Sequence, residues 1–228
     1  MTPELGKIEK PEAGQYRDRK KLYLVFLIFS WPEAPKEYKD KFDLYWQQVA
    51  DQLAGLEAKI GPVNYLYHES ITRPGEEGLK TLAKLSPASF NIIDERHKQG
   101  VKFETVEGEE LLKESMDWQR LLLAGFLSQK VADIVSNGFI AATKARYEHI
   151  INRITETLKE GEAGVLFIRE EHTAQFPDEL EIFSVMPPAL DDIHRWLREQ
   201  SAKPPEVAEK GKPEKSEAKK GKTSKKKP

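Results

Sequence analysis

The sequence predicts an α/β fold in three layers, in which a mostly parallel sheet of four or five strands carries helices on both faces. The first observation is residues 22–29, where every side chain is apolar or aromatic. A strand with one face in water alternates apolar and polar residues, so this run predicts a central strand covered on both faces. The second observation is that predicted strands alternate with predicted helices. Such crossover connections are right-handed and make neighbouring strands parallel.

Charge is distributed unevenly between a body and a tail. The formal net charge is −2, but residues 200–228 contain ten lysines and four glutamates, which gives them +6 and leaves −8 for residues 1–199. This tail has almost no apolar residues to bury, so we expect it to be disordered. We expect residues 1–19 to form a flexible arm, because Pro and Gly interrupt their charges without periodicity. Residues 20–199 are then a single α/β domain.

The first half of the domain predicts three helices and two further strands. Apolar residues recur at three- and four-residue steps up to a stop at Gly61-Pro62, which indicates a long amphipathic helix. Residues 63–67 predict the second strand, which ends on His68-Glu69. A short helix at 79–85 follows, and Ser89 can cap another that runs to about residue 99. Residues 101–106 alternate strictly, as expected of a strand near an edge.

The second half predicts a helical block at 108–161, with breaks at Gly125 and at Asn137-Gly138. Residues 164–168 predict another fully buried strand, residues 180–185 a last strand, and residues 189–199 a final helix. The last strand is a second candidate for an edge, and the last two strands are compatible with an antiparallel pair. The order of helix, tight turn and apolar strand at 165–168 resembles domains of release-factor-like translation proteins. That resemblance covers one helix–strand unit and carries no functional residue into this chain.

Polar residues follow two of the predicted strands at the point where each ends. His68 and Glu69 end one strand, and Glu170, Glu171 and His172 follow the other. Ligands of open α/β sheets bind at the carboxyl ends of the strands, so these side chains are candidates to hold a divalent metal or to supply a general base. The alternative is that they are solvated loop residues, since no spacing of the His-Glu-x-x-His type supports a metal site.

Several enzyme classes lack their motifs in this sequence. There is no G-x-G-x-x-G or Walker A sequence for a nucleotide, and no G-x-S-x-G nucleophile elbow. We therefore expect no cofactor. Cysteine is absent, which removes disulfides and thiolate chemistry and fits the cytoplasm. We also expect neither a signal peptide nor a membrane-spanning segment, because the first twenty residues are polar and no apolar run is long enough.

Two functions are compatible with these patterns. The first is a non-enzymatic cytoplasmic interaction or regulatory module, which self-associates or binds another protein and whose tail contacts nucleic acid or ribosomes. The second is a small metal-dependent or acid–base hydrolase that uses the polar strand ends. The lysines expected to make the nucleic-acid contacts are Lys219, Lys220, Lys225, Lys226 and Lys227. For the core, we predict that Val25 and Phe167 are buried.

Overall fold

The computed structural model describes residues 13–202, which form one five-stranded parallel sheet covered by helices on both faces. The strand order is β3-β2-β4-β1-β5. The strands are β1 (Lys20–Leu27), β2 (Val63–His68), β3 (Lys102–Glu104), β4 (Ala163–Arg169) and β5 (Leu180–Val185). The helices are α1 (Lys36–Ile60), α2 (Gly75–Leu85), α3 (Pro87–Lys98), α4 (Glu109–Leu123), α5 (Gln129–Thr157) and α6 (Pro188–Ala202).

The strand predicted to be central, β1, lies between β4 and β5 and is buried from its second residue onward. Val25 and Phe167 are neighbours in the β1–β4 register, and both are fully buried, as predicted. Both strands predicted near an edge, β3 and β5, are edge strands. The antiparallel edge pair is absent, because β4 and β5 each pair with β1 in parallel. Residues 170–179 span roughly 33 Å when extended, at about 3.3 Å per residue, which suffices to return beside β1 without a helix.

The two faces of the sheet are covered by different elements. Phe167 stacks on Trp46 of α1, and α1 also packs against α3 and α6. On the opposite face, Tyr67 is bonded through its hydroxyl to Thr157 of α5 at 2.8 Å. The loop at 170–179 lies on the α5 face as well, because His172 contacts both Phe26 and α5. These contacts define an α1 face and an α5 face.

Helix α5 is continuous through Gly138, where the sequence predicts a break. A Cβ at Gly138 would lie 2.8 Å from ring carbons of Trp118, so the glycine lets α4 approach α5 closely. The other predicted break is real: Gly125 has a φ of 72° and lies in the turn between α4 and α5. The same residue type therefore ends one helix and serves packing in the next.

Part of the predicted flexible arm is structured. Residues 13–16 form a 3-10 helix, and the Tyr16 ring makes an edge contact with Phe183 at 5.2 Å. The Nζ of Lys21 donates to the carbonyls of Tyr16 and Gly161, at 3.2 and 2.9 Å, and so ties this helix to the turn before β4. Residues 1–12 and the tail lysines lie outside the described range, as does most of the predicted tail. Among the described helices, none combines the length and apolarity needed to cross a bilayer.

Candidate functional site

The carboxyl edge of the sheet is where ligand sites of open parallel sheets form. At this edge β2 and β4 are neighbours, and the chain leaves them in different directions. After β2 it continues to α2 and α3, whereas after β4 it enters the loop on the α5 face. Diverging connections open a crevice between neighbouring strands, which makes this point of the edge the place where a ligand site would form.

The two histidines predicted to converge lie on opposite faces of the sheet. The His68 ring stacks on Phe167 with centroids 5.9 Å apart, on the α1 face. The His172 ring stacks on Phe26 at 6.2 Å. Phe26 is opposite Ile168 in the β1–β4 register, so it points away from Phe167. The sheet therefore separates the two imidazoles. Within residues 13–202 no group of three or more His, Asp or Glu side chains is arranged to hold a metal ion.

The three predicted carboxylates are also dispersed. Glu69 is buried and accepts a hydrogen bond from Nε of Arg169 at 3.0 Å. Glu170 pairs with Nε2 of His194 on α6 at 2.8 Å. Glu171 is exposed to solvent. The polar strand ends thus contribute to separate contacts rather than to one cluster.

Sequence reasoning missed a group of four charges on the α5 face, of which Glu107, Arg146 and Glu69 are buried and Arg169 is 37% exposed. Nε of Arg146 lies 3.0 Å from each carboxylate oxygen of Glu107, and its Nη2 lies 3.8 Å from Oε2 of Glu69. Arg169 adds the second guanidinium, so two positive charges balance two negative ones. Burial raises the pKa of Glu69, although Arg169 and Arg146 act against that shift. The available signal was Arg146 itself, a charge four residues before Ile150 in an apolar stripe.

The charge network is better suited to holding elements together than to chemistry. It joins α5 to the ends of β2 and β4 and to the residue that precedes the turn into α4. Burial would by itself lower the pKa of Arg146, but its hydrogen bonds to Glu107 and the nearby carboxylates raise it. Oε2 of Glu69 is the exception within the network: it is buried, has no hydrogen-bond partner and lies 3.8 Å from Nη2 of Arg146.

On the α1 face, three side chains form what we call the hydroxyl relay: His68, Ser89 and Ser86. Nε2 of His68 lies 3.2 Å from Oγ of Ser89, and that oxygen lies 2.7 Å from Oγ of Ser86. Nδ1 of His68 contacts the backbone carbonyl of Glu69. All three relay residues are buried. Burial lowers the pKa of His68 to about 4, so the imidazole is neutral at neutral pH.

The protonation of the relay follows from its neighbours. A carbonyl only accepts, so Nδ1 carries the proton of the neutral ring and Nε2 is an acceptor. Oγ of Ser89 donates to Ser86, whose Oγ lies 2.7 Å away and whose backbone carbonyl lies 3.1 Å away. Nε2 of His68 competes for the same Ser89 proton at 3.2 Å. In the sequence, the only sign of this cluster is Ser86-Pro87, where α3 begins one turn before Ser89.

A groove of about 320 Å³ lies at the carboxyl end of β1, and Ser86 is part of its wall. We call it the aromatic groove. Two of the large apolar side chains that line it are strongly exposed: Phe29 is 56% exposed and Leu85 is 50% exposed. Ser30 is the other hydroxyl on the groove wall. The groove is lined by Ile28, Phe29, Ser30, Trp31, Pro32, Phe42, Leu85, Ser86, Pro87 and Ala88.

Of the thirteen exposed large apolar side chains among the described residues, seven lie elsewhere, on the helical hairpin formed by α4 and the part of α5 before residue 142. No residue of the described stretch 116–134 is buried. The exposed large apolar side chains of the hairpin are Met116, Leu121, Leu123, Leu127, Val131, Ile134 and Ile140. Patches of this kind mark interaction surfaces in soluble proteins.

The contact between Trp118 and Gly138 marks the seam between α4 and α5, and we call the exposed edge of this seam the hairpin face. Leu121 is three residues after Trp118, and Ile134 and Val131 are four and seven residues before Gly138, so all three lie along the seam. They are 46%, 55% and 45% exposed. A groove beside Trp118 and Leu121 is bordered by three acidic residues of α4 and one lysine. These are Glu110, Glu114, Asp117 and Lys113, and Lys113 pairs with Glu110 at 2.9 Å.

Comparison of the chain with protein-family models, with curated proteins and with solved structures found no match.

Proposed function

We propose that this protein is a cytoplasmic interaction module that self-associates through the hairpin face. The observation that supports this proposal is a helical hairpin that lacks a buried residue from 116 to 134 yet carries large apolar side chains there. In water such side chains gain roughly 1.5–3 kcal/mol each on full burial, so the surface favours a partner.

A second copy of the chain fits this surface for reasons of shape and charge. Two antiparallel helices are half of a four-helix bundle, and a two-fold axis supplies the other half. The groove on α4 keeps a net negative charge near the base of the hairpin, where Glu110 and Glu114 flank Lys113. Lys130 lies at the exposed tip. A two-fold, antiparallel contact places the tip of each hairpin beside the acidic groove of the other, so opposite charges meet twice.

Sedimentation equilibrium over a range of concentrations tests the proposal. We expect the wild-type protein to be a dimer and the variants Leu121→Asp and Ile134→Asp to be monomers, because each buries a carboxylate in the contact. Leu197→Asp is the matched control: Leu197 is 40% exposed on α6, outside the hairpin, and its replacement should leave the dimer intact. A wild-type protein that stays monomeric up to high micromolar concentration contradicts the proposal, and so does a dimer that both hairpin variants retain.

We further propose that the tail gives the dimer a weak, sequence-independent affinity for nucleic acid or ribosomes. The support is the sequence alone, since the lysines at 219, 220, 225, 226 and 227 lie outside the described residues. Lysine–phosphate contacts are electrostatic and release counterions. Two tails on one particle raise the effective affinity, because binding of the second becomes intramolecular.

A further inference from the structure

We propose that residues 203–207 of this chain, which we call the proline segment, dock in its own aromatic groove. The segment has the sequence Lys-Pro-Pro-Glu-Val and directly follows α6. It lies outside the described residues, and three features of the described domain support the contact: the place where α6 ends, the lining of the groove and the charges on its walls. Docking does not depend on self-association, because the groove is formed by α1 and its neighbours, whereas the hairpin extends from the α5 face.

Helix α6 runs antiparallel to α1, toward the loop that forms one wall of the groove. The N–H of Ala189 donates to Oε1 of Gln48, in the middle of α1, at 3.0 Å. Farther along α6, the Trp196 ring contacts the ring of Tyr38, near the start of α1, at 5.1 Å. Tyr38 contacts the ring of Trp31, which lines the groove, at 4.8 Å. Trp196 is thus two ring contacts from the groove wall, and the rest of α6 adds only roughly 9 Å at about 1.5 Å per residue.

The length of the proline segment suits the remaining distance. Its two prolines favour the polyproline II conformation, in which five residues span roughly 15 Å at about 3.1 Å per residue. The segment is joined to α6 without a linker, so its docking on the same chain is intramolecular. Short tethers give effective concentrations on the order of millimolar, which favours the chain's own groove over that of a second copy.

The aromatic groove has the lining to which proline-rich segments bind. Such segments dock between exposed aromatic rings, because their extended helix is formed in advance and loses little entropy. Phe29 and Trp31 are 56% and 42% exposed, so both rings are accessible to proline. Polyproline II leaves its carbonyls unpaired, and the indole N–H of Trp31, which has no acceptor among residues 13–202, can donate to one of them. Val207, the one large apolar residue of the tail, is then next to an apolar surface.

The charges beside the groove match the order of charges in the segment. Glu33 lies on the loop between β1 and α1, which forms one wall, and Lys84 lies on α2, whose last residue is part of another wall. Both side chains are exposed, and neither has an ion-pair partner within the described part of the chain. A segment that enters past the loop brings Lys203 to Glu33 and, beyond the two prolines, Glu206 toward Lys84. Exposed pairs of this kind add little affinity, but they fix the direction in which the segment binds.

Docking anchors the base of the tail at the carboxyl edge of the sheet and covers the aromatic groove. Nine of the ten tail lysines follow residue 207, so they extend from this edge. The contact is weak, because it involves five residues and exposed charges. It therefore changes the surroundings of the groove residues but has little effect on the melting temperature.

NMR spectra of the ¹⁵N-labelled full-length protein test the proposal. The indole N–H signal of Trp31, identified by its loss in Trp31→Phe, should differ in position between the wild type and Pro204→Ser/Pro205→Ser. The amide signals of Leu85 and Ala88 should move with it, because these residues line the groove on elements other than the β1–α1 loop. Both proline substitutions lie outside residues 13–202, so they remove no contact among the described residues.

Pro213→Ser is the matched control, because Lys212-Pro213-Glu214 has the same flanking charges around a single proline farther along the tail. It should leave the groove signals at their wild-type positions. The indole signal of Trp118, on the hairpin, should stay in place in every variant. The proposal is overturned if the wild type and Pro204→Ser/Pro205→Ser give the same groove signals, or if only Trp31 changes, since the segment then passes the loop without entering the groove. It is equally overturned by a difference that appears only at high protein concentration, which would mean that the segment docks on a second copy.

Discussion

Arg146 and Glu107 form a nearly symmetrical ion pair inside the protein: Nε of the arginine is 3.0 Å from both carboxylate oxygens, and the two side chains are 3% and 0% exposed. The pair connects the middle of α5 to the residue before the α4 turn. It therefore fixes the base of the helical hairpin on the sheet. This contact positions the hairpin face relative to the rest of the domain.

Breaking this pair should be costly. In Arg146→Met the carboxylate of Glu107 remains buried without its partner, and we expect a loss of about 3–5 kcal/mol in the free energy of unfolding. The double variant Arg146→Met/Glu107→Met should lose less than the sum of the single changes. Arg153→Met, which removes an exposed pair with Glu156, is the control and should cost under ~1 kcal/mol. Urea unfolding of the wild-type protein, the two single variants, the double variant and the control measures these costs, and a small effect of Arg146→Met alone would show that the pair contributes little.

A second prediction follows from the burial of the central strands of the sheet. Phe167 is fully buried between Trp46 and His68, so Phe167→Ala should cost about 3–5 kcal/mol. The partly buried Phe183 on the edge strand β5 is the comparison, and Phe183→Ala should cost less. Equal costs at the two positions would argue against a core centred on β1 and β4.

Stability should fall as the pH is lowered from about 6.5 to about 4. Burial lowers the pKa of His68 to about 4, whereas an unfolded histidine titrates near ~6.5. Between these values the unfolded chain binds a proton that the folded chain does not, which removes up to about 3 kcal/mol. Burial also lowers the pKa of His172, which adds to the loss. The raised pKa of Glu69 acts in the opposite sense at the acidic end, because the folded state then binds the extra proton.

Unfolding free energies of wild type and His68→Gln, measured between pH 4 and 8, test this dependence. The variant should have the shallower slope, whatever its stability at pH 8. Parallel curves for the two proteins would mean that His68 takes up its proton equally in the folded and unfolded states.

The sequence predicts the sheet better than the site, for a physical reason. Continuous apolar runs mark β1 and β4 because burial on both faces leaves no position for a polar residue. Gly138 shows the limit for helices: glycine lowers helix propensity, but here the missing Cβ admits Trp118, which only the tertiary contact reveals. The sequence pattern does not show which side chains distant in the chain contact each other. The pattern places His68 and His172 at strand ends, but the side to which each turns depends on where the next segment packs.

The relay illustrates the same limit. Ser89 is twenty-one residues from His68, and its spacing favours a helix cap. Helix α3 instead begins at Pro87, and Ser89 bonds back to Ser86. A charged residue inside an apolar stripe, such as Arg146, was the one visible sign of the buried network.

Deletion of residues 203–228 should leave the melting temperature nearly unchanged, because the segment has almost no apolar surface to contribute to the core. The same deletion should weaken binding to labelled RNA. Binding of the full-length protein should also fall steeply between two salt concentrations, as counterion release requires. Equal RNA affinity of the two proteins would limit the tail to a solubilising role.

Amide hydrogen exchange of the full-length protein at two concentrations tests the self-association of the hairpin most directly. If the hairpin face joins two copies, protection of the amides at 118–134 rises with protein concentration, while protection in α6 stays constant. The Ile134→Asp variant should lack the concentration dependence. Protection at 118–134 that is the same at both concentrations in the wild-type protein would contradict the account.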